Sequence, residues 1–310
     1  MTRFRLITTA SPAGPRAGIV SGHRYADAAH ATGQPAHATV LGILEDWDAS
    51  LPRLEGAAAA IEAGTLPSEP LEGAPILAPL LYPGTIYCAG ANYTDHVARM
   101  AEMLGVPPEP DPHEAGLNPW HFLKPSRCVV GPDAIVATLS PKLDWEAELA
   151  LVIGRTARHV PLDRALDYVA GYTVANDLSA RDMISRPQVS VGSPFKFDWI
   201  GQKCFDGSCP LGPWIVPASE LPDPQALGIR LWVNDRLRQD STTARMIFTA
   251  AEQIAYLSTR LTLHPGDVIL TGTPMGVGAE TGEFLSPGDV MRVEIEGIGS
   301  LSTTVGPADR

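Results

Sequence analysis

The first fifty residues alternate between short apolar runs and clusters of turn residues. Residues 3–9 and 17–21 predict two short strands, because each run is bounded by Gly, Pro or Ser. The intervening SPAGP, at residues 11–15, predicts a turn. Residues 43–54 and 55–65 favour two short helices, the second ending at Gly64.

A Pro-rich crossing between Pro67 and Pro83 separates this region from the rest of the chain. We therefore expect a small N-terminal domain over residues 1–80 and a second domain over residues 81–310. Residues 106–119 are rich in Pro, Asp and Gly and predict a long mobile loop, which in compact domains is often a lid.

The second domain alternates between strand and helix patterns. Residues 144–154 and 171–177 predict buried strands, and residues 161–169 predict a helix. Apolar residues recur at helical spacing from Met246 to Leu261, and Thr249 and Glu252 have the spacing of a capping box. This last region predicts either one helix or two.

The composition narrows the possible partners. The chain has 310 residues, a formal net charge of −12, 45% hydrophobic residues, and 29 each of Gly and Pro. This acidity argues against nucleic acid as a partner. No apolar run reaches the roughly 20 residues of a membrane helix, and the N-terminus lacks a signal peptide pattern, so we expect no membrane and a cytoplasmic protein. An acidic protein that binds an anion needs local positive charge, which a metal ion can supply.

Two carboxylates stand two residues apart in the apolar segment DWEAELALVIG. In a strand, Glu146 and Glu148 would lie on one face, with Trp145, Ala147 and Leu149 on the other. Buried, adjacent carboxylates repel, and a divalent cation between them relieves that repulsion. Hard oxygen ligands select Mg²⁺, Mn²⁺ or Ca²⁺. The alternatives are a solvated strand face or salt bridges to Arg or Lys.

Further candidates lie in other segments of the chain. Asp177 ends a predicted strand and could complete a metal site, or could cap a following helix. Lys203 lies in a run with few charges, where it is either a partly buried cation or an ordinary surface lysine. The segment LTGTPMGVG offers backbone N–H groups and a hydroxyl that could bind a carboxylate. His96, at a predicted helix start, could be a general base or merely structural.

These segments, in this order, resemble the fumarylacetoacetate hydrolase family over about residues 80–305. The matching phrases are NYTDH, HFLKPS, LDWEAELALVIG, GYTVANDLSARD, QKCFDGSCPLGP, PGDVILTGTPMGVG and PGDVMRVEIEGIG. The resemblance implies an α+β fold with a mixed β-roll catalytic domain, preceded by a small N-terminal α/β domain. It also implies a homodimer and a small anionic 2-oxo acid as substrate.

The resemblance also implies roles for particular residues. Glu146, Glu148 and Asp177 would bind Mg²⁺ or Mn²⁺, with Ca²⁺ as a possible substitute, and His96 and Lys203 would be catalytic. The residues expected to bind substrate are Arg181, Thr273, Gly272 and Tyr93.

Two positions depart from the family pattern. Arg99 stands where small family hydrolases carry a Glu that orients the lid histidine, so we expect His96 to lack that partner unless Glu114 replaces it. Ile184 replaces a common glutamine. The expected reaction is hydrolysis of a C–C bond in a β-diketo acid such as an acylpyruvate. The alternatives are an isomerase of a 2-hydroxy-diene-dioate, a decarboxylase of a 2-oxo acid, or a metal-binding protein without catalysis.

Overall fold

The computed structural model describes residues 3–108, 110–138 and 140–308. The strands of the N-terminal segment are β1 (Arg5–Thr9), β2 (Arg16–Ser21), β3 (Arg24–Asp27), β4 (Glu69–Pro70) and β5 (Ile76–Leu77). Its helices are α1 (Ala28–Thr32), α2 (Val40–Leu44) and α3 (Trp47–Glu62), with a 3-10 turn at Pro35–Ala38.

The helix boundaries in this segment differ from the prediction. The break falls after α2, and α3 continues through Pro52 to Glu62. Pro52 has no N–H to bond the carbonyl four residues earlier, and its ring crowds that carbonyl. Buried apolar side chains offset this cost on both sides of Pro52, with Trp47 before it and Leu54, Ala58 and Ile61 after it, all in one cluster with the sheet. Gly64, at φ +70°, follows the helix end as predicted.

The remaining elements occupy the rest of the described chain. The strands are β6 (Ile86–Ala89), β7 (His121–Lys124), β8 (Val129–Val130), β9 (Ile135–Thr138), β10 (Leu143–Asp144), β11 (Ala147–Ile153), β12 (Val169–Asn176), β13 (Ser179–Ala180), β14 (Cys209–Pro217), β15 (Gly228–Val233), β16 (Arg236–Thr242), β17 (Val268–Leu270), β18 (Val290–Ile295) and β19 (Gly299–Ala308). The helices are α4 (Thr94–Leu104), α5 (Trp199–Lys203) and α6 (Ala250–Arg260). Short 3-10 turns lie at Ser126–Cys128, Leu162–Tyr168, Ala218–Glu220, Thr243–Arg245 and Gly278–Glu280.

The largest sheet is mixed and joins both parts of the chain. Its strands follow the order β4-β3-β2-β1-β14-β12-β11-β17-β6-β7. Strand β17 runs parallel to β6, whereas β11 pairs antiparallel with both β12 and β17. The N-terminal strands enter through β1, where Leu6 pairs with Ile215 of β14. The sheet-rich fold with some helices agrees with the expectation, and the domain boundary near residue 80 stays a prediction.

A second sheet packs on the largest one. It has the order β16-β15-β18-β19-β9. Leu149 and Leu151 of β11 share one buried cluster with Ile229 and Val293 of this second sheet. The alternate residues of β11, such as Val152, join another cluster with the N-terminal helices. Strand β11 is therefore buried on both faces, which explains its unbroken apolar sequence.

Two further predictions can be compared with the structure. The helix expected over 161–169 is confirmed, and it is a 3-10 helix, Leu162–Tyr168. The capping box is confirmed, because Thr249 Oγ1 accepts from the N–H of Glu252 while the Glu252 carboxylate accepts from the N–H of Thr249. Across the described ranges, no helix is long and apolar enough to cross a membrane.

Candidate active site

Three buried carboxylates converge at one end of the β11–β12 pair. Glu148 lies on β11, opposite Ala175 of β12. Glu146 immediately precedes β11 and Asp177 immediately follows β12, and the Asp177 N–H donates to the Glu146 carbonyl at 2.9 Å. One oxygen from each side chain lies within 4.8 Å of the others. No helix follows Asp177, since β13 begins two residues later, so Asp177 is not a helix cap.

Basic side chains contact two of the three carboxylates. Lys203 Nζ donates to Glu146 Oε2 at 2.8 Å and to Asp177 Oδ2 at 2.7 Å. Arg181 bridges Glu146 and Asp144, at 2.6 and 2.8 Å. The salt-bridge alternative therefore holds in part for Glu146 and Asp177. Lys203 is only 3% exposed, so it is not a surface lysine.

A second lysine lies behind Asp177. Lys124 Nζ is 2.8 Å from Asp177 Oδ1, an ion pair without the alignment of a hydrogen bond. The same ammonium donates to the carbonyls of Leu178 and Ser208. Buried protein groups therefore engage the ammonium of Lys124, and the ion pair fixes the position of Asp177.

Among the described residues, no Lys, Arg or His forms an ion pair with Glu148. Its Oε2 accepts from the Gly272 N–H at 2.6 Å, but its Oε1 is buried and has no hydrogen-bond partner in the described chain. Burial, together with the charges of Asp177 and Glu146, raises the pKa of Glu148 well above its ordinary value. A divalent cation among these oxygens would oppose both effects and satisfy the unpaired atom. The residues present therefore fit Mg²⁺ or Mn²⁺, which prefer oxygen ligands.

The electrostatics of Lys203 keep it charged. Burial opposes the ammonium form, but the charges of Asp177 and Glu146 outweigh burial and raise the pKa of Lys203 above its ordinary value. Lys203 therefore presents a fixed positive charge at the bottom of the site.

The Gly-rich turn after β17 positions a carboxylate and a hydroxyl. Gly272 has φ +96°, and a Cβ there would lie 2.8 Å from Asn92 Cβ, so the backbone N–H can approach Glu148 only without a side chain. Thr273 Oγ1 accepts from Gln239 Nε2 at 2.9 Å. That bond leaves the Thr273 hydroxyl hydrogen free to donate to another group.

Tyr93 is fully buried immediately before α4. Burial and the nearby charge of Glu148 raise its pKa well above the ordinary value. Gly272 and Tyr93 thus lie against Glu148, and their role in binding substrate stays a prediction.

His96 has a carboxylate partner that the sequence did not reveal. Its Nδ1 lies 2.8 Å from Glu280 Oε1, and Glu280 Oε2 accepts from the Gly276 N–H. Arg99 instead forms an exposed pair with Glu102. The expectation that His96 lacks an orienting carboxylate unless Glu114 supplies one was wrong. The partner comes from the 3-10 turn Gly278–Glu280, which packs against α4.

A cavity of about 400 Å³ reaches the carboxylate cluster at Glu146. Its polar lining consists of His96, Glu146, Arg181, Gln202, Lys203 and Thr273. Hence most of the predicted catalytic and binding side chains share one cavity. Larger surface depressions exist elsewhere, but this cavity is the one that Glu146 of the carboxylate cluster lines.

Sequence reasoning missed Glu280, Lys124 and Gln202. Glu280 and His96 are 184 residues apart in the sequence, so no local pattern indicates that they form a pair. Lys124 stands inside the phrase HFLKPS, where a lone Lys in an apolar strand was the available signal. Gln202 is 5% exposed, lines the cavity and has an unpaired Oε1, but its sequence neighbours carry no signal of that.

Comparison with known proteins agrees with this geometry. A family model described as fumarylacetoacetate (FAA) hydrolase C-terminal matches residues 85–306. A mitochondrial oxaloacetate tautomerase of Xenopus laevis is 42% identical over 234 residues, covering 74% of this chain and 68% of the relative.

Two solved structures are also similar. The fumarylacetoacetate hydrolase of Exiguobacterium antarcticum has a TM-score of 0.77 and 30% identity, covering 98% of this chain and 99% of the other. The maleylpyruvate hydrolase of a Sphingobium species, in complex with manganese (II) and pyruvate, has a TM-score of 0.74 and 30% identity, covering 98% and 100%.

The mixed sheet brings three buried carboxylates together beside the cavity that Lys203 and His96 line. This arrangement is that of an enzyme with a candidate divalent-metal centre. The chain belongs to the fumarylacetoacetate hydrolase family. Its relatives are named as tautomerases, hydrolases and isomerases. Membership of the family therefore indicates the class of chemistry but does not identify a single reaction.

Proposed function

We propose that this protein moves a proton on a small 2-oxo acid, as a tautomerase that interconverts its keto and enol forms or as an isomerase that shifts a conjugated double bond. The observation that carries the proposal is the His96–Glu280 pair, which places His96 in the lining of the same cavity as Lys203 and Glu146. The similarity to an oxaloacetate tautomerase supports it.

Glu146, Glu148 and Asp177 would hold the cation. Mg²⁺ or Mn²⁺ at this position supplies Lewis-acid polarisation of the substrate's 2-oxo group. Ca²⁺ satisfies the same oxygen ligands but is larger and less demanding in geometry.

The side chains around the cluster bind the substrate and stabilise the charge that develops on it. Thr273 donates its free hydroxyl hydrogen to the substrate carboxylate. Lys203 presents its ammonium to the 2-oxo oxygen and stabilises the negative charge that develops when the neighbouring carbon loses a proton.

His96 is the base. A carboxylate only accepts hydrogen bonds, so Glu280 fixes the proton of His96 on Nδ1 and leaves Nε2 with a lone pair. Nε2 then takes the proton from the carbon next to the 2-oxo group, and returning it elsewhere on the enolate completes tautomerisation or isomerisation.

Hydrolysis of a C–C bond is the second candidate. The same Nε2 can activate a water molecule, and the similar Sphingobium protein is named a maleylpyruvate hydrolase. Decarboxylation would use Lys203 in the same way without requiring His96. A role without catalysis gives no reason to hold His96 and Lys203 at one cavity.

The test follows the enol absorbance of several 2-oxo acids and acylpyruvates with Mg²⁺-loaded protein. We expect faster keto–enol equilibration without new acids, and loss of that acceleration in His96→Gln. Release of two acids from an acylpyruvate would favour hydrolysis, and CO₂ release insensitive to His96→Gln would favour decarboxylation. The control is Arg99→Gln, on the exposed side of the same helix.

A further inference from the structure

We propose that the substrate is a 2-oxo monocarboxylate with an apolar tail of about aromatic size. This inference rests on the proposed function for the placement of the 2-oxo acid head at the carboxylate cluster. The tail then occupies the part of the cavity that extends away from the cluster.

That part of the cavity is apolar. Val97, Met100 and Leu104 of α4 line it, followed by Val106. Leu104 and Val106 are 68% and 50% exposed, which places them toward the opening. An opening with this lining favours a ligand that removes its carbon surface from water.

Aromatic side chains form the facing wall. The ring centroids of Trp120 and Trp199 are 5.0 Å apart, and those of Phe122 and Trp199 are 5.7 Å apart. Trp120 lies against Gly90, where a Cβ would be 2.0 Å from the ring, so the backbone at Gly90 is shaped to accept the indole. Trp120 and Trp199 keep 48% and 40% of their surface exposed in the described chain. These rings offer a stacking surface to a flat apolar tail.

The cations of the cavity lining are already paired with carboxylates of the protein. The basic residues among its described lining are His96, Arg181 and Lys203. Glu280 engages His96, Asp144 and Glu146 engage Arg181, and Glu146 and Asp177 engage Lys203. A tail carboxylate would therefore share its cation with a carboxylate that already contacts it, so the cost of removing its charge from water would be only partly offset.

The charges of the site favour a substrate with one carboxylate over a substrate with two. Five carboxylates (Asp144, Glu146, Glu148, Asp177 and Glu280) face three cations (Lys124, Arg181 and Lys203), and His96 is neutral as a base, which leaves two net negative charges. A divalent cation brings this sum to zero. Each substrate carboxylate then adds one negative charge, so a second carboxylate costs more than the first.

The experiment compares phenylpyruvate with oxaloacetate, which share the 2-oxo acid head and differ in the tail. Binding to the Mg²⁺-loaded protein is measured by calorimetry, and tautomerisation by enol absorbance. We expect the Kd of phenylpyruvate to be lower by about tenfold or more. Equal or tighter binding of oxaloacetate would overturn the tail assignment, and so would binding of neither acid. Binding with the expected preference but no tautomerisation would support the tail assignment and contradict the proposed function.

A charge placed in the tail region should reverse the preference. Met100→Lys puts a cation on the cavity side of α4, so it should tighten oxaloacetate and weaken phenylpyruvate, each by about tenfold. The matched control is Met103→Lys, three residues along the same helix, outside the cavity lining and 41% exposed. Unchanged preference in a folded Met100→Lys protein would contradict the proposal.

A second variant, which introduces no charge, tests the proposal if Met100→Lys does not fold. Trp120→Ala removes part of the aromatic wall, so it should weaken phenylpyruvate by about tenfold while leaving tail-less pyruvate unchanged. Equal weakening of both acids would mean that Trp120 does not contact the tail, and would count against the proposal.

Discussion

At the scale of single residues, the site depends on carboxylates in different roles. Within the described residues, Glu148 has a buried oxygen without a hydrogen-bond partner, whereas both oxygens of Glu280 are engaged, by His96 and by the Gly276 N–H. The first arrangement suits a metal ligand, and the second suits a residue that positions a base.

Glu280→Gln should lower kcat by roughly a hundredfold, because a neutral amide cannot stabilise the charge that forms on His96 when it takes a proton. Metal affinity should not change. Steady-state kinetics and metal titration measure the two effects separately. Glu102→Gln, at an exposed carboxylate that pairs with Arg99, is the control. An unaltered kcat in Glu280→Gln would show that this pair has no part in proton transfer.

The sequence predicted residues that carry a local pattern and missed those that do not. Glu146 and Glu148 could be predicted as site residues because two carboxylates at strand spacing in an apolar segment need a nearby positive charge. Glu280 reaches His96 only through the packing of a distant turn, so the sequence pointed to the wrong partner. The engagement of Arg181 and Lys203 by carboxylates likewise depends on tertiary contacts.

At the scale of elements, local signals predicted where helices occur, but not every boundary and not the helix type. The capping box of α6 could be predicted because its hydrogen bonds join residues three apart. The segment Leu162–Tyr168 was predicted as a helix, but the sequence did not indicate that it would be a 3-10 rather than an α-helix.

Thr249→Ala should lower the free energy of unfolding by about 1 kcal/mol, because the N–H of Glu252 loses its acceptor at the start of α6. Urea unfolding measures the change. Thr259→Ala, an exposed position near the other end of the helix, should change stability by less than about 0.5 kcal/mol. Equal effects at the two sites would argue against the cap.

At the scale of the whole molecule, the N-terminal segment and the catalytic region share one sheet and one apolar cluster. Leu6 of β1 pairs with Ile215 of β14, and both side chains belong to that cluster with Val152 of β11. The two regions should therefore unfold together. The composition of the sequence suggested a domain boundary near residue 80. The pairing of strands across that boundary could not be predicted from local sequence patterns.

Leu6→Ala should destabilise the protein by about 2–5 kcal/mol and keep a single unfolding transition, since it leaves a cavity in a cluster common to both regions. Calorimetry and tryptophan fluorescence measure the transition. Leu41→Ala, at a position 37% exposed in the same segment, should cost less than about 1 kcal/mol. Two separate transitions would mean that the N-terminal segment folds as an independent unit.

The most direct test of the account is a Mn²⁺ titration of the metal-free protein, followed by calorimetry and electron paramagnetic resonance. We expect one tightly bound ion per chain, and a loss of affinity of at least about a hundredfold in Glu148→Gln. Glu283→Gln, at a carboxylate outside the cluster that pairs with Arg238, should bind like the unaltered protein. If Glu148→Gln bound Mn²⁺ as tightly as the unaltered chain, the carboxylate cluster would not be the metal site.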